Sequence, residues 1–191
     1  VKVISGIQEA SYICKGVIAA AQPSRPVLIM DIGGGSVEFC IHADGGAVFS
    51  GSYDVGVAVL YDSFHHHEPI TNSELNAIKA HLDHELGEVF ALCSDYPGIQ
   101  LIGASGSFEI LDRALQKQLG IKPFATYPVK SFNAFYNEII TMNDEERLAH
   151  PEVPKERVLY IVCALYLINY VVEKLGLDEI EVVFGEILHH Q

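Results

Sequence analysis

The stretch MDIGGGSVEFC, residues 30–40, places three successive glycines between two β-prone runs. Each glycine destabilises regular structure by about 0.5–1 kcal/mol relative to alanine, and an ordinary hairpin needs fewer of them. One interpretation is a hairpin with a loose tip. The alternative is a turn whose bare amides come close to a ligand, and phosphate is the anion that such turns typically bind.

The flanking acid Asp31 favours the second interpretation. Asp31 stands at the end of a near-continuous apolar run that predicts a strand buried on both faces. An unpaired carboxylate there is unfavourable, and a Mg²⁺ ion held directly or through water would relieve the cost. We therefore predict Asp31 as a metal ligand and expect the amides of four residues to face phosphate oxygens: Gly33, Gly34, Gly35 and Ser36.

Composition narrows the class of protein. The 191 residues are 49% hydrophobic, which is enough to bury a core, and nothing divides them, so we predict a single domain over residues 1–191. The net charge of −13 disfavours nucleic-acid and anionic-membrane surfaces. The longest apolar run, residues 158–172, is shorter than the roughly 20 residues of a membrane span.

No signal peptide opens the sequence, so we predict a cytoplasmic protein with no nucleic-acid or membrane partner. Its four widely spaced cysteines are predicted to be reduced thiols, mostly buried: Cys14, Cys40, Cys93 and Cys163. The chain starts inside a β-like run without an initiator methionine, which predicts a fragment of a longer protein.

Periodicity and capping signals predict an alternating succession of elements. The predicted strands cover residues 27–32, 37–43, 47–53, 100–103 and 181–184. The predicted helices cover residues 8–21, 57–64, 71–93, 107–119, 132–142, 144–150 and 154–175. The order β-β-β-α-β-α-β predicts an α/β fold with a mixed sheet flanked by helices. This order is similar to the ribonuclease-H-like lobe of actin-like ATPases, which is used twice in actin, the heat-shock chaperone ATPases and sugar kinases.

Three motifs, in this order and at these separations, carry a closer resemblance: ISGIQEASYICKGV, DIGGGSVEF and IGASGSFEIL. Together with KERVLYIV before the last long helix, they resemble the exopolyphosphatase/guanosine pentaphosphate phosphohydrolase (Ppx/GppA) family over essentially the whole chain. The resemblance implies the second, C-terminal lobe of a two-lobe phosphatase whose first lobe is absent here. It implies Mg²⁺ or another divalent cation as cofactor, and inorganic polyphosphate or guanosine penta- or tetraphosphate as substrate. It also allows a homodimer of the full-length protein.

The resemblance assigns two further acids. Glu9 matches the catalytic glutamate, which orients or deprotonates the attacking water. Glu38 resembles a second metal-associated acid. The alternative for Glu9 is a first-turn glutamate that merely favours the helix dipole.

The third motif runs from a strand into a helix, and helix N-termini attract anions. Three of its residues are predicted to bind phosphate: Gly103, Ser105 and Gly106. The alternative is an ordinary glycine turn between a strand and a helix.

The sequence departs from the family pattern at three places. Gln8 stands where the family usually has another acid, and Val37 where it commonly has threonine. The closing FGEILHH, where Gly185 and Glu186 are an uncertain match, lacks the arginine that the family often has there. The alternative functions are a noncatalytic phosphate- or nucleotide-binding regulatory module, and a kinase or ATPase of the same superfamily. If the chain is one lobe of a two-lobe hydrolase, these 191 residues alone are expected to fold but to be almost inactive.

Overall fold

The computed structural model describes residues 6–115 and 124–184. In these ranges six strands form one mixed sheet with the order β3-β2-β1-β4-β6-β5. The strands are β1 Val27–Ile32, β2 Val37–Ala43, β3 Gly46–Tyr53, β4 Gln100–Gly103, β5 Phe124–Pro128 and β6 Glu179–Val183. The predicted mixed α/β lobe is confirmed, with one strand more than expected.

The first three strands form an antiparallel meander, whereas β1, β4 and β6 run parallel. The tight turn between β2 and β3 has positive φ angles at Asp44 (53°) and Gly45 (81°), as a two-residue hairpin requires. The unpredicted strand β5 pairs antiparallel with β6 at the edge of the sheet. Only its residues Ala125 and Tyr127 are buried, and it ends in a proline, so its apolar pattern is too short to reveal a strand.

The helices lie at the predicted places, with two differences. They are α1 Gly6–Ala21, α2 Val57–Phe64, α3 Asn72–Glu85, α4 Gly87–Cys93, α5 Gly106–Leu115, α6 Val129–Ile139, α7 Asp144–Ala149 and α8 Ile161–Leu175. The single helix predicted over residues 71–93 is divided at Leu86, because the poor helix former Gly87 follows it. Pro154 precedes a 3₁₀ turn, Lys155–Arg157, and α8 begins only after that turn.

The two faces of the sheet are covered unequally. Leu28 and Met30 of β1 point into the large core formed with α2 to α6 and α8. Val27 and Ile29 point to the other face, where they pack against α1. The end predicted for α5, the first five residues, Gly185, Glu186 and the C-terminal histidines lie outside the described residues.

The prediction for the cysteines is wrong for one pair. Cys14 of α1 and Cys40 of β2 form a disulfide with a Cα–Cα distance of 6.0 Å, whereas Cys93 and Cys163 are free and buried as expected. The two half-cystines are 26 residues apart, and periodicity shows that both are buried without showing that helix and strand meet there. The bond attaches α1 to the sheet.

Among the described residues, no helix combines the length and the apolar character that crossing a bilayer requires.

Candidate functional site at the carboxyl edge of the sheet

Two turns meet where β1 and β4 end. The strands are parallel neighbours, with Met30 opposite Gly103, so the turns that follow them lie at the same edge of the sheet. The Ala104 amide donates to the Met30 carbonyl (3.0 Å), and the Ile32 amide donates to the Ser105 hydroxyl (3.2 Å). Open α/β sheets generally bind ligands at this edge.

The glycine turn after β1 is held from one side by the start of α2. The carbonyls of Gly33 and Gly34 accept hydrogen bonds from the amides of Val57 (3.0 Å) and Ala58 (2.9 Å). The carbonyl of Gly35 accepts one from the Gly56 amide at 3.2 Å. Three successive peptide units therefore turn their carbonyls toward α2.

The amides of the same three peptide units point the opposite way, because C=O and N–H are antiparallel in a trans peptide. They belong to Gly34, Gly35 and Ser36, and none donates a hydrogen bond within residues 6–115 and 124–184. The amide of Gly33 differs, since it donates to the Ser36 carbonyl at 2.9 Å. Of the four amides predicted to face phosphate, three are thus available and that of Gly33 is used inside the turn.

The fold itself does not demand glycine at the middle of this turn. None of the three glycines has a positive φ. A Cβ on Gly34 or Gly35 would meet nothing within 4 Å, and one on Gly33 would lie 3.0 Å from the Ser36 carbonyl oxygen. A loose hairpin tip is excluded by the three hydrogen bonds to the start of α2. The missing side chains leave open space at the middle of the turn.

Gly56 is a site residue that the sequence did not reveal. A Cβ on Gly56 would lie 2.4–2.5 Å from backbone atoms of Gly34 and Gly35. Only glycine lets the start of α2 approach the turn closely enough for its amides to bond the turn's carbonyls. Nothing in the sequence around Gly56 marks this contact, because it joins residues more than 20 positions apart.

Gly56→Ala is expected to lower the free energy of unfolding by about 1–3 kcal/mol, since backbone atoms cannot move aside as a side chain can. Gly87→Ala is the matched control: it also lies at a helix start, and its Cβ would meet nothing within 4 Å. Urea unfolding should show Gly87→Ala at or above wild-type stability. Equal stability of the two variants would contradict the close approach.

Two carboxylates stand directly opposite each other beside the turn. Asp31 of β1 pairs with Glu38 of β2 in the antiparallel register, an arrangement that disfavours two like charges. Glu38 is buried, and its Oε1 accepts hydrogen bonds from the hydroxyls of Ser36 (2.6 Å) and Ser52 (2.7 Å). Neither acid forms an ion pair with another described residue. Such an unfavourable pair is typical of a functional site.

Glu9 completes a group of three acids. It lies exposed in the first turn of α1, the helix on the same face of the sheet as Asp31. The pKa of Asp31 is raised from 3.8 to about 6, first by burial and then by the charges of Glu38 and Glu9, while a hydrogen bond from Ser105 lowers it. The structure therefore brings together all three acids that the sequence singled out.

The raised pKa predicts how stability depends on pH. Because Asp31 binds its proton more tightly in the folded chain, its unfavourable contribution is absent below pH 3.8, grows as the pH rises toward about 6, and is complete above that value. Asp31→Asn removes the charge. It is expected to raise the free energy of unfolding at about pH 7.5 by on the order of 1 kcal/mol, after allowance for solvent screening, and to change little at about pH 4.

Urea unfolding at the two pH values tests this, with the exposed Asp95→Asn as control. Destabilisation by Asp31→Asn at the higher pH would show that the Asp31 charge is compensated inside the folded chain.

The donor set fits a magnesium ion shared with a phosphate. No group of three or more His, Cys, Asp or Glu side chains within the described ranges is placed to hold a metal by itself. Mg²⁺, however, is usually bound by one or two carboxylates together with water and phosphate oxygens. Asp31 and Glu38, two acids without an internal cation, are hard oxygen ligands of that kind.

The second turn, residues 103–106 at the end of β4, makes more contacts inside the protein than predicted. Gly103 is buried inside β4, where a Cβ would lie 2.1 Å from the ring of Phe108, so packing alone requires glycine there. The hydroxyl of Ser105 is engaged with the Ile32 amide and with Asp31. Phosphate binding by the residues of this turn, including Gly106, stays a prediction.

Arg157 is the other residue that the sequence did not reveal. A Cβ on Gly106, the first residue of α5, would lie 2.4 Å from the Arg157 guanidinium. In the part of the chain that the structure describes, Arg157 forms no ion pair. Arg157 therefore places a positive charge beside the second turn. The sequence alone had indicated only that the C-terminal arginine of the family is missing.

Val37, one of the departures from the family pattern, does not weaken the site. Its side chain is buried in the large core on the face opposite Glu38. A threonine there would not reach the carboxylates.

Comparison with solved structures first confirms the fold, an actin-like fold shared with Ppx/GppA phosphatases. An exopolyphosphatase from Cytophaga hutchinsonii is 27% identical, with a TM-score of 0.89 over 98% of this chain and 63% of that one. The Ppx/GppA family member from Aquifex aeolicus is 20% identical, with a TM-score of 0.84 over 98% of this chain and 63% of that one. This chain thus spans about 63% of the length of either protein.

The family follows from the sequence model of the Ppx/GppA phosphatases, which matches residues 1–185. The chain belongs to the Ppx/GppA phosphatase family. No individually curated protein matches it.

Proposed function

We propose that this chain is the second lobe of a phosphoanhydride hydrolase that removes terminal phosphate from inorganic polyphosphate or guanosine pentaphosphate. One observation carries the proposal: three acids and three free backbone amides converge at the carboxyl edge of a sheet in a member of a phosphatase family. The first lobe, in the part of the relatives' length that this chain does not span, would supply the other wall of the cleft.

Phosphoryl transfer is catalysed mainly by positioning and electrostatic stabilisation. Each residue of the candidate site would contribute to one of these two effects. The amides of Gly34, Gly35 and Ser36 would hold phosphate oxygens. Arg157 would neutralise part of their charge from the second turn. Glu9, exposed at the start of α1, would orient the attacking water and take its proton. Asp31 and Glu38 would hold Mg²⁺, which when bound supplies further charge neutralisation.

A noncatalytic phosphate-binding module is the second candidate. Gln8 favours it, because this position lacks the additional acid that the family resemblance implies beside Glu9. The same amides and Arg157 would bind the anion in such a module, but no acid would activate water.

Phosphate release by the full-length protein separates the two candidates. The substrates are polyphosphate, guanosine pentaphosphate and ATP, each with Mg²⁺ and with a chelator as control. Release from polyphosphate or guanosine pentaphosphate that the chelator abolishes supports the hydrolase, and faster release from ATP favours the kinase or ATPase alternative. Binding of these anions without release would establish the noncatalytic module.

A further inference from the structure

Ser52 of β3 holds the buried carboxylate of Glu38 from the strand next to it. The two residues are direct partners in the β2–β3 register, and the Ser52 hydroxyl donates to Glu38 Oε1 at 2.7 Å. Ser36 donates to the same oxygen at 2.6 Å. Oε2 accepts no hydrogen bond from another described residue, so one oxygen is fixed inside the protein and the other is left for an outside group.

The start of α1 closes over the Ser52 hydroxyl. A Cβ on Gly6 would lie 2.4 Å from Ser52 Oγ and 3.7 Å from Glu38 Oε1. The hydroxyl therefore lies between the strand that carries Glu38 and the helix that carries Glu9.

A purely structural role does not account for this arrangement. The burial of a carboxylate is unfavourable even when hydroxyl groups solvate it, and the opposing charge of Asp31 adds to the cost. An apolar pair at the positions of Glu38 and Ser52 would stabilise the sheet better. The hydrogen bond from Ser52 is explained if the Glu38 carboxylate has a function of its own.

We propose that Ser52 is a positioning residue, whose hydroxyl orients the Glu38 carboxylate so that Oε2 is available to the metal. The inference rests on the proposed function of this edge of the sheet. Partners of this kind behind a ligand side chain typically affect metal affinity or activity by about 10–100-fold.

The test compares Ser52→Ala with Ser50→Ala in the full-length protein. Ser50 lies on the same strand and face, opposite Cys40, and its side chain forms no hydrogen bond within the described residues. We expect Ser52→Ala to lower kcat on polyphosphate by about 10-fold with KM within about twofold of wild type. Ser50→Ala is expected to match wild type.

A double-mutant cycle shows whether Ser52 acts through Glu38. If it does, Ser52→Ala should have no further effect on kcat in a Glu38→Gln background. Full additivity of the two substitutions, or equal kcat for Ser52→Ala and Ser50→Ala, would overturn the inference while leaving the proposed function intact.

Absence of phosphate release by the wild-type protein would contradict the proposed hydrolase. A binding measurement tests the role of Ser52 in that case. Mn²⁺ binding in the presence of inorganic phosphate, followed by electron paramagnetic resonance, needs no turnover. An affinity about 10-fold weaker for Ser52→Ala than for Ser50→Ala supports the positioning role. Equal affinities, or no binding even by the wild type, overturn it.

Discussion

Glu9→Gln in the full-length protein is expected to lower kcat by about 10²–10⁴-fold, the usual effect of removing a general base, with little change in KM. Glutamine keeps the shape and exposure of the side chain but cannot take a proton from water. Removal of one of the charges that raise the pKa of Asp31 should also leave anion binding equal or slightly tighter. Steady-state phosphate release measures both constants.

Glu145→Gln is the matched control, because Glu145 is also an exposed acid in the first turn of a helix. If Glu9 only interacts favourably with the dipole of α1, both variants should keep wild-type kcat and lose at most about 0.3–1 kcal/mol of stability. That result would remove Glu9 from the chemistry and favour the noncatalytic module.

Gly34→Val is expected to weaken binding of inorganic phosphate or polyphosphate at least about 100-fold, which is about 2.7 kcal/mol, while the protein stays folded. A Cβ on Gly34 meets nothing inside the chain within 4 Å, so a valine there fits the fold and fills open space at the middle of the turn, which the proposed anion would approach. Isothermal titration measures the affinity, and circular dichroism with urea unfolding confirms the fold.

Gly46→Val controls for the change from glycine to a branched residue, since a Cβ on Gly46 also meets nothing within 4 Å. It should bind phosphate as the wild type does. Undiminished binding by Gly34→Val would mean that no anion approaches the middle of the turn, and Gly34 and Gly35 would then lack an explanation.

Local signals predicted much of the fold. The bounds of β1, β2, α2 and β4 agree with the sequence-based ranges, because each has a compact apolar pattern between strong turn residues. In the structure, Thr71 and Glu74 form a capping box at the start of α3. Asp31 and the glycines of the candidate site were singled out because they lie at the ends of predicted strands, and Glu9 and Glu38 because their motifs resemble a known family.

Contacts between distant segments were not predictable from those signals. The disulfide between Cys14 and Cys40 and the approach of Gly56 to Gly34 depend on how elements pack. Arg157 belongs to the KERVLYIV segment, which assigned it no role, and its place beside Gly106 follows from the course of the chain between α7 and α8. The sequence could not distinguish Gly103, where packing requires glycine, from Gly34 and Gly35, where a Cβ would meet open space.

The three peptide units from Gly33 to Ser36 lie in series with helix α2. Each accepts a hydrogen bond at the start of the helix and presents its own N–H on the opposite side. Hydrogen bonds in series polarise one another, and the helix dipole places partial positive charge at this end of α2. An anion at the turn would be stabilised by the field of a helix it never touches, relayed through one layer of peptide groups. Fraying of the first turn of α2 would then weaken anion binding without the loss of any direct contact to the ligand.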